Sequence, residues 1–304
     1  MIHVGIAFDQ NYFNQFGALV SSIFNSKDKK DIISFHVITP DLSEKNKTLL
    51  QKYVLNNDCQ INFYSIDFSL TNQFITKGEW TSAVYYRIFF PLILKNKCER
   101  LLYLDSDIVV VNSLTPLFNT NLKDYPIAAV YDNYVKTQPL LGITNNGEYF
   151  NSGVLLIDLK IWNEQNISEK TFKFLEQNPE KIKFVDQCAL NAVLKQNWLK
   201  INLINNLMYS YLPWKLAAKD KTSYLSDKVI IHYTLQRPWN MLCRNPLRDL
   251  YYNSLTQFPI KIKSKKYTDF TLKNIFPWLK IRLFELYINT PILEKIYTKM
   301  KVLK

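Results

Sequence analysis

The chain has 304 residues, 47% of them hydrophobic and 21% charged, which is ample material for a core and excludes global disorder. Six Gly and twelve Pro are too few for a collagen-like or low-complexity chain. The net charge of +12 is unevenly placed: residues 260–304 hold eleven Lys/Arg against three Asp/Glu, a net of +8, which leaves +4 for residues 1–259.

Met1-Ile2-His3-Val4 runs straight into a strand-like segment with no basic start or long apolar stretch, so no secretory leader is expected. No run of ~18 uninterrupted apolar residues exists, so a membrane-spanning helix is not expected either. Cys59, Cys98, Cys188 and Cys243 lie far apart without C-x-x-C spacing, and are read as reduced thiols rather than a disulfide framework.

In chain order, Ile2–Ala7 reads as a strand, and Gln15–Phe24 has Phe16, Leu19, Val20, Ile23 and Phe24 at helical spacing. Ile33–Thr39 reads as a strand, Ser43–Leu55 as a helix opened by a Ser cap, and Gln60–Ser65 as a third strand. Ser82–Leu94 is predicted helical and Arg100–Leu104 a buried strand ending at Asp105. Ile127–Tyr131 and Val154–Asp158 follow as strands and Asp186–Lys195 as a helix. Such alternation predicts an α/β fold with a mostly parallel sheet, helices on both faces, and ligands beyond the carboxyl ends of the strands. Ala7-Phe8-Asp9 and Asp105-Ser106-Asp107 both stand there.

The strongest chemical signal is Leu104-Asp105-Ser106-Asp107-Ile108, two carboxylates one residue apart at the end of an apolar strand. Alternate residues of an extended chain face the same way, so both acids can approach one hard divalent cation shared with substrate phosphates. Two solvated aspartates in a turn would give the same letters. So would a haloacid-dehalogenase-like phosphatase with Asp105 as nucleophile, although that fold carries its acid on the first strand. The second signal is His232-Tyr233-Thr234-Leu235-Gln236-Arg237-Pro238-Trp239. The imidazole can complete the cation's ligand set and Arg237 can meet a diphosphate; an isolated histidine would more often be a core residue.

With Ala7-Phe8-Asp9-Gln10-Asn11-Tyr12, Tyr86-Arg87, Asp105-Ser106-Asp107, Tyr149-Phe150-Asn151-Ser152-Gly153-Val154 and Asp186-Gln187 in this order, residues 2–250 resemble bacterial members of glycosyltransferase family 8. The resemblance implies a GT-A-type, Rossmann-like nucleotide-sugar domain. It implies Mn²⁺, or Mg²⁺, on Asp105, Asp107 and His232, bridging the phosphates of a UDP-hexose. Ala7, Phe8, Asp9, Asn11 and Tyr12 match the loop that holds the nucleoside, Arg87 and Ser106 the donor contacts, and Asp132, Asn151, Asp186 and Gln187 the surroundings of the transferred hexose. The implied chemistry is retaining. Gln187 would sit near the anomeric carbon, and because an amide is a poor nucleophile, front-face attack is favoured over a covalent intermediate on Asp186. Leu235 stands where the family has Gly, Arg237 where it has Lys, and the His232–Pro238 spacing is one residue shorter, which predicts a shifted phosphate loop.

The boundary is drawn at residue 259, between a catalytic domain (1–259) and a basic amphipathic tail (260–304). Lys261, Lys263, Lys265 and Lys266 open the tail. Leu272, Ile275, Phe276, Leu279, Leu283, Leu286 and Tyr287 follow at helical spacing, with Pro277 in the helix or at its start. A second short helix is expected after Thr290-Pro291, with Ile292, Leu293, Ile296 and Tyr297 beside Lys295, Lys299, Lys301 and Lys304. Such a tail suits an anionic membrane surface or docking on the domain; no nucleic-acid module is visible. The expected activity is transfer of galactose or glucose from UDP to a lipopolysaccharide- or lipooligosaccharide-type acceptor by a cytoplasmic enzyme peripheral to the inner face of the membrane. A non-catalytic nucleotide-sugar or membrane-binding protein is the other alternative.

Overall fold

The computed structural model describes residues 1–76, 78, 80–260, 267–290 and 293. Its strands are β1 (Ile2–Ala7), β2 (Ile33–Ile38), β3 (Gln60–Tyr64), β4 (Arg100–Leu104), β5 (Ile108–Val110), β6 (Ile127–Tyr131), β7 (Phe150–Asp158), β8 (Leu199–Lys200), β9 (Leu207–Met208) and β10 (Ile230–His232). Seven of them form one sheet in the order β3-β2-β1-β4-β7-β6-β8, in which β7 runs against its two neighbours and the other pairs are parallel. The mostly parallel sheet expected from the sequence is thus present. A second sheet, β5-β10-β9, stands beside the carboxyl end of β4.

Side-chain alternation along the central strands divides the core into two layers. Val4, Ile6, Phe35, Val37, Leu102, Leu104, Val154 and Leu156 pack with Phe16, Leu19, Val20 and Ile23 of the helix Phe13–Ser26. On the other face Leu101, Tyr103, Leu155 and Ile157 meet Phe90, Leu94, Trp162 and Leu190. The predicted Ser cap is made: Ser43 Oγ accepts from the Asn46 N–H at 3.3 Å at the start of the helix Glu44–Leu55.

Ser82–Leu94 departs from expectation. Ser82–Phe89 is a 3₁₀ helix, and an α-helix begins only at Phe90, with Pro91 in its first turn. Pro91 has no N–H to donate back to the preceding turn, so a regular helix can start there but cannot run through it. The consequence is functional, because the tight 3₁₀ turns aim Arg87 at the sheet.

The chain beyond the predicted boundary stays attached. Phe258 is fully buried, edge-on to Phe13 and Tyr53. Thr268 N–H donates to the Trp239 carbonyl and Met241 N–H to Asp269 Oδ1. The expected tail helix is Ile275–Asn289, with Pro277 in its first turn. Glu285 accepts from both Arg248 and Arg282, and Asn289 Oδ1 caps the Ala218 N–H. Trp214 stacks on Phe284 of this helix at 6.2 Å between ring centroids, and Phe276, Leu279, Leu283 and Leu286 are left exposed. Lys261, Lys263, Lys265, Lys266 and, apart from Leu293, the predicted second helix lie outside the described residues.

Two backbone positions are tightly constrained. A Cβ on Gly17, inside the helix Phe13–Ser26, would stand 2.2 Å from Phe258 Cδ1. Leu235, half exposed, has φ +62°, so it takes the left-handed conformation that the glycine of the family pattern would have adopted freely.

Helix propensity alone would make Gly17→Ala stabilising by up to ~1 kcal/mol. The clash with Phe258 reverses the sign, and denaturant titration should show a loss of ~1–3 kcal/mol. For Leu235, glycine removes strain of about 1 kcal/mol and adds unfolded-chain freedom of similar size. Leu235→Gly should therefore leave the melting midpoint about level, while β-branched Leu235→Ile should lower it. Equal loss in both variants would contradict the backbone account.

Candidate active site

Asp105 and Asp107 sit in the turn between β4 and β5 rather than on one extended run, so it is the turn that brings them together. Asp105 N–H donates to the Gly153 carbonyl at 2.8 Å, which anchors the turn to β7. The second sheet then delivers the histidine. β10 pairs antiparallel with β5, His232 opposite Ile108, and Tyr233 N–H donates to the Asp107 carbonyl. His232 Nε2 lies 3.1 Å from Asp107 Oδ1 and 3.9 Å from Asp105 Oδ2. Its Nδ1 is 2.9 Å from Asn206 Oδ1, an acceptor that orients the ring with Nε2 toward the acids.

One donor atom from each of Asp105, Asp107 and His232 lies within 4.8 Å of the other two. Two carboxylate oxygens and one imidazole nitrogen suit a divalent cation such as Mn²⁺ or Mg²⁺. The space is kept open by Gly153, where a Cβ would come within 2.3 Å of His232 Cε1 and 2.6 Å of Asp105 Oδ2. The residues therefore fit the group that the resemblance implies. Burial opposes ionisation of Asp107, but His232 and then Arg237 outweigh it and bring the carboxyl down to about 2. Burial likewise opposes protonation of His232, and Asp107 lifts its pKa above the ordinary 6.5.

Arg87 links this cluster to the next. Its Nη2 is 2.8 Å from Asp105 Oδ1, its Nε 3.1 Å from Asp186 Oδ2, and its Nη1 donates to the Ser152 carbonyl at 2.6 Å. Burial opposes the guanidinium charge, and Asp105 and Asp186 more than restore it, holding the pKa above its usual range. Asp186 is raised to about 6, first by burial, with Arg87 opposing. Asp105 also accepts from the Tyr103 hydroxyl at 2.8 Å. The haloacid-dehalogenase alternative wants its acid after the first strand, whereas Asp105 follows the fourth, clamped by Arg87 and Tyr103.

Beyond Arg87, the Gln187 amide is fully engaged. Its Oε1 accepts from Asn151 Nδ2 and Ser152 N–H, and its Nε2 donates to Asp132 Oδ2, each at 3.1 Å. Asn206 Nδ2 donates to Asn151 Oδ1, so one asparagine braces both His232 and Asn151. Val185, just before the pair Asp186-Gln187, has φ +34°, a strained value for a β-branched residue at the start of the helix Val185–Val193.

These groups share one open cavity of ≈ 290 Å³ at the carboxyl ends of β1 and β4. Ala7, Phe8, Asp9 and Tyr12 line it together with Asp132, Asn151, Asp186 and Gln187. Arg87, Asp105, Ser106, Asp107 and His232 are in the same lining, as are Leu235 and Arg237. Asn11 lies outside this lining and is exposed; its N–H donates to Asp9 Oδ1. Asp9 Oδ2 accepts from the Thr81 hydroxyl at 2.6 Å. Sequence reasoning missed Tyr103, Ser152 and Asn206 as supports. Tyr103 was recoverable, being on β4 two residues before Asp105, but nothing in the sequence marks Asn206.

Known proteins resemble this chain over most of its length. The sequence profile of Glycosyl transferase family 8 matches residues 3–243. General stress protein A of Bacillus subtilis is 28% identical over 267 residues, spanning 84% of this chain and 93% of that protein. Lipopolysaccharide 1,2-glucosyltransferase of Escherichia coli K12 is 27% identical over 276 residues, spanning 87% and 80%. Among solved structures, the galactosyltransferase LgtC in complex with donor and acceptor sugar analogues matches with a TM-score of 0.74 at 25% identity, covering 86% of this chain and 98% of that one. The fold is of the GT-A type, and the chain belongs to glycosyltransferase family 8.

Proposed function

We propose that the protein moves a hexose, glucose or galactose, from a UDP-sugar to a hydroxyl of a lipopolysaccharide-type glycan, with retention at the anomeric carbon and dependence on Mn²⁺ or Mg²⁺. The observation that carries this reading is the meeting of Asp105, Asp107 and His232 in the same cavity as Gln187. The relatives' names support the choice of substrates, one a lipopolysaccharide glucosyltransferase and one a galactosyltransferase.

Asp105, Asp107 and His232 would hold the cation, which when bound supplies Lewis-acid neutralisation of the donor diphosphate. Asp9 and Tyr12 bind the nucleoside end, and Arg237, beside Asp107 at 4.0 Å, presents a planar guanidinium toward the phosphates. Asp132, Asn151 and Gln187 orient the hexose. Because Gln187 Oε1 already accepts two N–H groups, its electron density is poorly available for bond formation. Asp186 is tied to Arg87 and to the Ser152 hydroxyl. Both facts favour front-face displacement. In that scheme the acceptor oxygen bonds to the anomeric carbon as the bond to phosphate breaks, the leaving phosphate oxygen takes the acceptor proton, and the Gln187 amide dipole stabilises the oxocarbenium-like centre.

The exposed apolar side of the helix Ile275–Asn289 supports a peripheral location on the anionic inner face of the cytoplasmic membrane, where a lipid-linked acceptor would lie. No helix among the described residues is long and apolar enough to cross a membrane.

UDP release from UDP-glucose and UDP-galactose, with and without Mn²⁺, tests the reaction. Activity should require the metal, and Asp107→Ala should lower turnover by more than ~100-fold. A near-normal rate in that variant, or no UDP release from any UDP-sugar with acceptor present, would overturn the reading. For the membrane surface, Phe276→Glu combined with Leu283→Glu should weaken sedimentation with anionic vesicles by at least ~10-fold while leaving UDP release within about twofold of the parent. Unchanged vesicle binding would remove the surface assignment and leave the transfer reaction standing.

A further inference from the structure

A second cluster of side chains of metal-ligating type lies away from the cavity just described. His3 on β1, His36 on β2 and Tyr64 on β3 project from the same face of the sheet, as the register Gly5↔His36 and Ile38↔Tyr64 requires. Cys98, in the turn before β4, reaches the same spot, and one donor atom from each of His3, His36 and Cys98 lies within 4.8 Å of the other two. None of the three lines the cavity around Asp105.

The local hydrogen bonds prepare this group for a ligand. His36 Nδ1 is 2.9 Å from the Tyr64 hydroxyl, and His36 Nε2 is 2.9 Å from His3 Nδ1. With Nδ1–H donated to Tyr64, the His36 Nε2 lone pair faces His3 and the space near Cys98; a hydrogen-bonded partner on the far ring nitrogen is how ligating histidines are usually oriented. The Cys98 thiol is free, and its coordination displaces a proton.

We propose that His3, His36 and Cys98 form a second metal site, selective for a thiophilic divalent cation such as Zn²⁺, with water in the fourth position. Two imidazoles and a thiolate are softer donors than the two carboxylates and one imidazole at Asp105, so the two sites prefer different metals. Bonds of about 2.05 Å to nitrogen set tetrahedral donors about 3.3 Å apart, so the two rings must part by only about 0.5 Å to admit the ion. On binding, the Cys98 proton leaves to solvent, the His3 proton moves from Nδ1 to Nε2 by exchange with solvent, and the His3–His36 hydrogen bond is replaced by two metal bonds. The ion then ties β1 and β2 to the turn entering β4, and it stabilises the folded chain by mass action.

The test uses the full-length protein carrying Asp107→Ala, which disables the oxygen-rich site, titrated with Co²⁺ and then Zn²⁺. We expect a sulfur-to-cobalt charge-transfer band, its displacement by one equivalent of Zn²⁺, and a rise in melting midpoint with Zn²⁺. Cys98→Ser should abolish the band and weaken Zn²⁺ binding at least ~10-fold, and His3→Gln, a half-buried change that tests the site independently of the thiol, should weaken it similarly. Tyr64→Phe should weaken it by about 10-fold without removing the band. Absence of the band in the Asp107→Ala protein, its persistence after Cys98→Ser, or unchanged Zn²⁺ affinity in His3→Gln would each overturn the proposal.

Discussion

Arg87 carries its positive charge where almost no water reaches it, and it is tolerated there because Asp105 and Asp186 lie on either side of it. Removing one member of such a buried group leaves an uncompensated charge, at a cost of ~3–5 kcal/mol. The ion pairs therefore do more than add stability. They make the orientation of the Asp105 carboxylate depend on the same guanidinium that holds Asp186 and the Ser152 carbonyl. The acids of the β4–β5 turn and the amides near Gln187 are two ends of one electrostatic unit, with Tyr103 under the guanidinium at 4.7 Å as its floor.

The small sheet supplies the other half of the constraint. Asp107 and His232 are separated by 125 residues, and their 3.1 Å approach is fixed by three antiparallel pairs between β5 and β10. Asn206 extends that connection to Asn151. Backbone pairing, rather than a flexible loop, thus decides the spacing of the donor atoms. The metal-assisted transfer proposed above would need its donor groups aligned in this way before substrate arrives.

Much of this was legible in the residues. Buried strands show as apolar runs, and acids at the ends of such runs stand out because an unpaired charge there would be costly. The sheet class followed from alternation, and most of the cavity from the ordered motifs. The remainder depended on facts that periodicity does not carry. The spacing of Ser82–Leu94 suits a helix, yet its first half is 3₁₀ and the α-helix begins only at Phe90, with Pro91 in its first turn. The tail shows an apolar stripe, but only the partners Arg248, Ala218 and Trp214 reveal which side of the helix is docked. Leu235 breaks the family pattern in its letter, and only its backbone shows that the position lies in the left-handed region that glycine adopts most freely. Asn206 sits in an irregular segment with no pattern around it.

The antiparallel strand β7 has a wider implication. Along three successive residues it offers Asn151 to the amide cluster, Ser152 to Arg87 and Asp186, and the bare Gly153 to the acids and imidazole. Neighbouring residues of a strand cannot exchange faces without inverting the whole segment, so this stretch has almost no freedom to diversify. Divergence in what the enzyme accepts must then be written elsewhere on the cavity wall, in loop side chains such as Tyr134 and Ser210, which line the same space without supporting the core. A fixed strand edged by replaceable loops would let one scaffold serve many sugars.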